Sequence, residues 1–198
     1  MCLLLETIRF ENGEFVNLNY HQARFAAARK KFYPQSPVIQ LGEQLRVPVN
    51  LGNGLYRCRV LYGETIQQVA FIPQQQRSFR SLQVLQTNLD YPHKFADRTK
   101  LNELLAQRGN ADEVLLVKAG LVTDCSIGNL VFQQSGKLYT PKETLLAGTQ
   151  RQRLLDEGLL IERSIPLSAL HRYEAVGIIN ALIGLEEVSW MDIPLKIQ

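Results

Sequence analysis

Lys94 lies in Tyr91-Pro-His-Lys-Phe-Ala-Asp-Arg98, after an extended stretch and before a helical one. A lysine in a partly desolvated cleft has a lowered pKa and can bond an aldehyde covalently. Asp124 sits in Val122-Thr-Asp-Cys-Ser-Ile-Gly-Asn129, a loop between two strand-like runs. A buried carboxylate beside a pyridine nitrogen keeps that nitrogen protonated and so sharpens an electron sink. Gly148-Thr-Gln-Arg151 opens a helix. The backbone N–H groups and dipole at such a start attract a phosphate, and the Thr149 hydroxyl adds a donor. Arg24 follows His21 by one helical turn and offers a guanidinium that can grip a phosphate bidentately. Arg57 and Arg59 alternate on one strand face, where they could meet substrate carboxylates.

Each piece has an ordinary reading as well. Lys94 could be a solvated charge, Gly148 a plain loop-to-helix junction, Arg24 a surface ion pair and Asp124 a turn residue. Arg57 and Arg59 could line a solvated sheet face. Cys125 and His93 suggest a nucleophile–base pair, but nothing in the sequence orients them, and Cys125 suits a small buried hydrophobe.

The composition sets wider limits. The chain has 198 residues, 45% hydrophobic and 21% charged, which is ordinary for a globular protein of one large or two small domains. A net charge of +3 suits an anionic small ligand. No Lys/Arg run is dense enough to argue for nucleic acid; Arg29-Lys-Lys31 is accounted for by a helix end. Cys2, Cys58 and Cys125 form no CxxC pair and no metal-ligand spacing, and their odd count suits a reducing compartment. Met1–Glu6 is too short and too soon charged for a signal peptide, and no apolar run reaches membrane-spanning length. The expectation is a cytoplasmic protein with no membrane partner.

The elements that must position these residues follow from periodicity and turn chemistry. Leu3–Phe10, Asn12-Gly13 and Glu14–Leu18 predict a β-hairpin. Asn19 is expected to cap a helix over Tyr20–Phe32. Residues 34–54 carry no firm assignment beyond a possible short helix at Leu41–Leu45. Strands are expected at Leu55–Tyr62, Thr65–Ile72 and Ser81–Thr87. Asp97 is expected to cap a helix over Arg98–Arg108 that Gly109 stops. Further strands are expected at Glu113–Val117, Leu121–Thr123, Asn129–Gln133, Lys137–Thr140, Ile161–Pro166, Ala175–Asn180 and Glu187–Trp190, with a helix over Thr149–Glu157 closed by Gly158. The result is an α+β protein of mostly antiparallel sheets in two lobes, 1–88 and 89–198, the second carrying Lys94.

In order and spacing these pieces resemble the class IV aminotransferase family, the fold-type IV pyridoxal-phosphate enzymes. That family includes branched-chain and D-amino acid aminotransferases and aminodeoxychorismate lyase. The resemblance runs from Glu6 to about Val188 and is strongest from Lys94 to Arg151. His21-Gln-Ala-Arg24 resembles the H-x-x-R motif, whose arginine holds the cofactor phosphate. Lys94-Phe-Ala-Asp-Arg98 resembles the segment of the Schiff-base lysine. Val122–Phe132, with Asp124 and Asn129, resembles the V-[TS]-E-x-x-x-x-N-[IL]-F signature, whose acid faces the pyridine nitrogen. Tyr139-Thr-Pro141 resembles the T-P motif, and Gly148-Thr149-Gln150-Arg151 the phosphate-binding G-[IV]-T-R motif. Asn180-Ala181-Leu182 falls at a second phosphate-contacting turn and is similar to that turn in aminodeoxychorismate lyases. Asp124 replaces the usual glutamate, and Gln150 the usual threonine. Lys100 stands nearby, but inside the amphipathic helix.

The resemblance implies a D-amino acid aminotransferase-like fold, pyridoxal 5'-phosphate as cofactor and a homodimer. It also implies an amino acid or aminodeoxychorismate as the small-molecule substrate. The Asn180 turn favours 4-amino-4-deoxychorismate lyase, a folate-pathway step. A branched-chain or D-amino acid aminotransferase is the alternative. A non-catalytic relative that binds a phosphate ligand stands as the reading from a different class.

Overall fold

An acid interrupts the first strand on its apolar face. In the computed structural model, which describes residues 2–193 and the backbone of 196–197, β1 (Leu4–Glu11) turns through Asn12-Gly13 into the two-residue β2 (Glu14–Phe15). Asn12 and Gly13 both take positive φ, 50° and 90°, as a tight two-residue hairpin requires. Helix α1 (Leu18–Phe32) starts earlier than expected: Asn17, not Asn19, is the cap. Asn17 is left-handed, a conformation asparagine tolerates, and its carbonyl accepts the Tyr20 and His21 N–H groups. Its buried residues His21, Phe25, Ala28 and Arg29 recur at helical spacing and form the face that packs inward.

A one-turn helix α2 (Leu41–Gln44) precedes β3 (Leu55–Tyr62) and β4 (Ile66–Pro73). These strands complete a sheet in the order β2-β1-β3-β4. Register places Leu4, Glu6, Ile8 and Phe10 opposite Tyr62, Val60, Cys58 and Tyr56. That face, with Phe25 of α1, makes the first core. Arg57 and Arg59 pair with Arg9 and Thr7 and lie on the other face, as the alternation predicts.

The second core is built on two further sheets. β5 (Leu82–Gln86) runs parallel to β6 (Glu113–Lys118), which turns antiparallel into β7 (Leu121–Val122). Between β5 and β6 lies α3 (Thr99–Ala106); Arg98, not Asp97, holds its cap position. Strands β8 (Asn129–Gln134) and β9 (Lys137–Pro141) form a hairpin, followed by α4 (Thr149–Asp156) and β10 (Ile161–Arg163). A 3-10 turn (Leu167–Arg172) then leads to β11 (Ala175–Ile179) and β12 (Met191–Asp192), giving the sheet β10-β9-β8-β11-β12. A backbone pair at Lys196–Ile197, β13, adds parallel to β5.

Two expected strands come out differently. Only Ile161–Arg163 pairs with β9; the chain then changes sheets, and the Ile165 carbonyl accepts the Val122 N–H. Residues 187–190 form no strand. Glu187 accepts the Gly184 N–H at 2.8 Å and closes a turn, and Val188 and Trp190 pack over Gly177, where any Cβ would collide with them.

The chain divides into two compact units, Met1–Gln75 with His93–Asp97, and Gln76–Pro92 with Arg98–Gln198. The expected division at 88/89 differs for two physical reasons. Parallel pairing of β5 with β6 draws 76–92 into the second unit. Residues 93–97 return to the first, where the Lys94 carbonyl accepts the Leu5 N–H at 2.8 Å and Ala96 N–H donates to Leu3 at 2.9 Å. Lys94 therefore belongs to the first unit rather than to the lobe expected to carry it.

Candidate functional site

In the first unit, β1 and α1 meet at a buried carboxylate. Glu6 is fully buried. His21 Nδ1 lies 2.6 Å from its Oε2, and Arg24 donates from Nε to Oε1 at 2.8 Å and from Nη2 to Oε2 at 2.6 Å. Burial alone would raise the Glu6 pKa. The Arg24 charge and the hydrogen bonds from His21 and Arg24 outweigh it and pull the carboxyl from 4.5 down to about 2. An ionised carboxylate only accepts, so His21 carries its proton on Nδ1. Sequence reasoning missed Glu6, although its position was informative. It is the one charge at the alternate positions Leu4, Glu6, Ile8 and Phe10, the apolar face of a strand.

Lys94 is half-buried on the segment that bridges to β1 through Phe95 and Leu4. Lys100 is exposed on α3. Neither the Arg57 nor the Arg59 side chain has a hydrogen bond or ion pair among the described residues; their backbones pair within the sheet. Both are half-buried, and the Arg57 Nε is buried without a partner.

In the second unit the expected residues converge. Asp124 is 3% exposed. Its Oδ1 accepts from Asn129 Nδ2 at 2.8 Å; its Oδ2 accepts the Leu145 and Leu146 N–H groups at 2.8 and 2.9 Å. Asn129 Nδ2 also donates to the Leu146 carbonyl at 2.9 Å, so the 145–146 loop is tied to both side chains. Gly148, which caps α4, is required by the same contact: a Cβ there would collide with Asn129 Oδ1. Thr149 and Gln150 are buried in the first turn of α4. Arg151 Nη2 donates to the Pro141 carbonyl at 2.9 Å and to Glu162 at 2.6 Å, anchoring that turn to β9 and β10.

The turn after β11 completes the set. Asn180 Oδ1 accepts the Leu182 and Ile183 N–H groups, and its Nδ2 reaches the Ile127 carbonyl at 3.3 Å. Ala181 lies within this turn, and the Gln150 amide approaches Gly184 just beyond it. The Asp124 loop has its own buried support. Glu113 accepts from the Ser126 hydroxyl at 2.9 Å, and Arg98 donates to the Ser126 carbonyl at 2.8 Å.

Burial lifts the Asp124 carboxyl from 3.8 to about 7, against the hydrogen bonds from Leu146, Asn129 and Leu145 and the charge of Arg151. Its hydrogen-bond donors are all neutral. A carboxylate has about four lone-pair sites, so Oδ1 can accept one more donor. This arrangement fits a protonated ring nitrogen as a further donor. Cys125 does not fit a nucleophile: burial pushes its thiol well above the ordinary range, and its Sγ lies 3.2 Å from the Gly128 carbonyl. Among the described residues no His/Cys/Asp/Glu cluster could hold a metal, and no helix is long and apolar enough to cross a membrane.

Comparison with known proteins gives relatives over nearly the full length. An uncharacterized protein of Haemophilus influenzae is 41% identical over 188 residues, covering 93% of this chain and all of that protein. The crystal structure of a candidate 4-amino-4-deoxychorismate lyase from Haemophilus somnus shares 38% identity and a TM-score of 0.86, covering 93% of this chain and 98% of that one. A hypothetical aminotransferase from Mycobacterium tuberculosis in its PLP-bound form, 16% identical with a TM-score of 0.76 over 98% of this chain and 84% of that one, shares the fold. Residues 3–189 match the amino-transferase class IV family, and the chain belongs to that family of enzymes.

Proposed function

We propose that this protein is a pyridoxal 5'-phosphate enzyme that converts 4-amino-4-deoxychorismate to 4-aminobenzoate and pyruvate. The observation that carries the lyase reading is the 38% identity to the candidate lyase of Haemophilus somnus over 93% of this chain. The cofactor reading is supported by family membership and by the fit of Asp124 to a protonated ring nitrogen.

In the first unit, Lys94 would bond the cofactor aldehyde and Arg24 would hold its phosphate. In the second, the start of α4 at Gly148, Thr149 and Gln150 would hold phosphate oxygens, with the Asn180-Ala181 turn as a second contact. Asp124, kept in place by Asn129, would hold the ring nitrogen. When bound, the cofactor supplies an electron sink for the carbon that bears the substrate amine. The Lys94 amine, freed when the substrate amine takes its place at the aldehyde carbon, would take the proton from the amine-bearing carbon of the substrate as general base. The bond from the ring to the enolpyruvyl oxygen then breaks with its electron pair on oxygen. The enol released becomes pyruvate by taking a proton on carbon, and the ring becomes aromatic. Asp124 would keep the ring nitrogen protonated.

The substrate carries one carboxylate on its ring and another on its enolpyruvyl arm. Arg57, whose Nε is buried without a partner, and Arg59 on the same strand face would bind such groups by charge-assisted hydrogen bonds. Assembly as a cytoplasmic homodimer belongs to the same proposal through the family likeness. The runner-up is amino transfer from a branched-chain or D-amino acid, the chemistry after which the family is named.

The deciding experiment supplies 4-amino-4-deoxychorismate to the holoenzyme without any keto acid. Pyruvate and 4-aminobenzoate in equal amounts are expected. No turnover there, with spectral conversion of the cofactor by an amino acid, would establish amino transfer instead.

A further inference from the structure

We propose that Glu6 is the positioning residue for Arg24, fixing the plane in which that guanidinium meets a phosphate. The inference rests on the reading of Arg24 as the phosphate-holding arginine and goes beyond it by assigning a role to a residue on another element.

Four observations carry it. First, the site of Glu6 is otherwise apolar. Its strand neighbours on the same face are Leu4 and Ile8, and the residue opposite is Val60; all are fully buried. Burying a carboxylate there costs desolvation that an apolar side chain would avoid, and a buried charge persists only where partners compensate it. Second, the compensation is directional. Glu6 takes Nε and Nη2, one edge of the planar guanidinium, with both of its oxygens. Such a two-point grip fixes orientation as well as position. Third, His21 donates to the oxygen that also receives Nη2, so the carboxylate is held from the helix at two points one turn apart. Fourth, Arg24 has only 18% side-chain exposure and Glu6 none, so water does not compete freely for the pair.

An arginine stem has several rotatable bonds, and holding it before the ligand arrives removes an entropy cost from binding. The electrostatic effect of Glu6 alone has the opposite sign. A carboxylate beside an anion-binding cation lowers the local positive potential, so a purely electrostatic role would make Glu6 a hindrance to phosphate. Positioning makes it a help. The sign of the change on removing the charge therefore separates the two.

The test titrates apoprotein with pyridoxal 5'-phosphate and with pyridoxal, which has the same aldehyde and ring but no phosphate. Fluorescence reads the dissociation constants for the parent, Glu6→Gln, Glu6→Asp, Arg24→Met and the Glu6→Gln/Arg24→Met double variant. Glu6→Gln is expected to weaken pyridoxal 5'-phosphate by about tenfold or more, while pyridoxal affinity stays unchanged. The double variant is expected to bind no worse than Arg24→Met alone. Glu6→Asp keeps the charge but withdraws it by one methylene, and an intermediate loss is expected; this variant carries the test if Glu6→Gln does not fold. Unchanged or tighter binding of pyridoxal 5'-phosphate by the Glu6 variants, with Arg24→Met weakened, overturns the role of Glu6 alone. So does equal weakening toward both ligands. An Arg24→Met variant with unchanged preference for the phosphorylated ligand overturns the reading of Arg24 itself, and this inference with it.

Discussion

Each unit buries one carboxylate at the centre of its candidate machinery, and the two have opposite electrostatics. Glu6 and Asp124 are 0% and 3% exposed, and desolvation acts on both in the same direction. Yet Glu6 is pulled down to about 2 and Asp124 is pushed up to about 7. The difference lies in the partners. Glu6 faces a guanidinium that touches both of its oxygens. Asp124 accepts from an amide and two backbone N–H groups, all neutral, while Arg151 acts on it only from a distance and is itself bound to Glu162. Depth of burial therefore does not decide the state of a buried acid; the presence of an adjacent cation does. Glu6 is a completed pair that holds an arginine. Asp124 is held by neutral donors alone, an environment compatible with the proposed contact to a protonated ring nitrogen.

The comparison breaks most sharply in kinetics. Asp124→Asn removes the charge proposed to keep the ring nitrogen protonated, and its side-chain oxygen can still accept the Leu145 and Leu146 N–H groups. A loss of about 100-fold in kcat is expected, measured as pyruvate release at saturating cofactor. Glu6→Gln under the same conditions should retain most of kcat, because its effect falls on cofactor affinity. Equal kcat losses for both variants would erase the distinction between an acid that acts on turnover and one that acts on binding.

A smaller effect separates the two in stability. Glu6 has a depressed folded pKa, so its contribution is present above about 4.5 and is lost as pH falls toward 2. Asp124 has a raised one, so in the cofactor-free protein its contribution is greatest below 3.8 and is lost as pH rises through about 7. Each amounts to something on the order of 3 kcal/mol, with opposite slopes. Denaturant titrations of apoprotein across pH should therefore show the parent and Glu6→Gln converging below pH 4. The parent and Asp124→Asn should diverge between pH 4 and 7. Parallel curves for either variant would mean that its carboxyl titrates alike in the folded and unfolded chain.

What the sequence made legible was local. Asn12-Gly13 specified its hairpin, and the spacing from Asp124 to Asn129 is the spacing of an actual hydrogen bond. Gly148 was expected at a helix start, and it stands there for a reason no local pattern states, the approach of Asn129. The part that could not be read depends on separation along the chain. Glu6 meets partners 15 and 18 positions away, and Asp124 binds N–H groups 21 and 22 positions away. The segment after α4 looked like one strand because both halves are extended, but its halves pair with different sheets. Residues 93–97 looked like a lead-in to α3, whereas their backbone bonds go back to β1.

Both carboxylates take their meaning from the cofactor proposed to be bonded at Lys94. Borohydride reduction of the holoenzyme, followed by digestion and mass spectrometry, reads that bond directly. The account predicts the added pyridoxyl-phosphate mass on the peptide containing Lys94 and none on the peptide containing Lys100. Cofactor mass on Lys100, or a protein that takes up no pyridoxal 5'-phosphate at all, would contradict it.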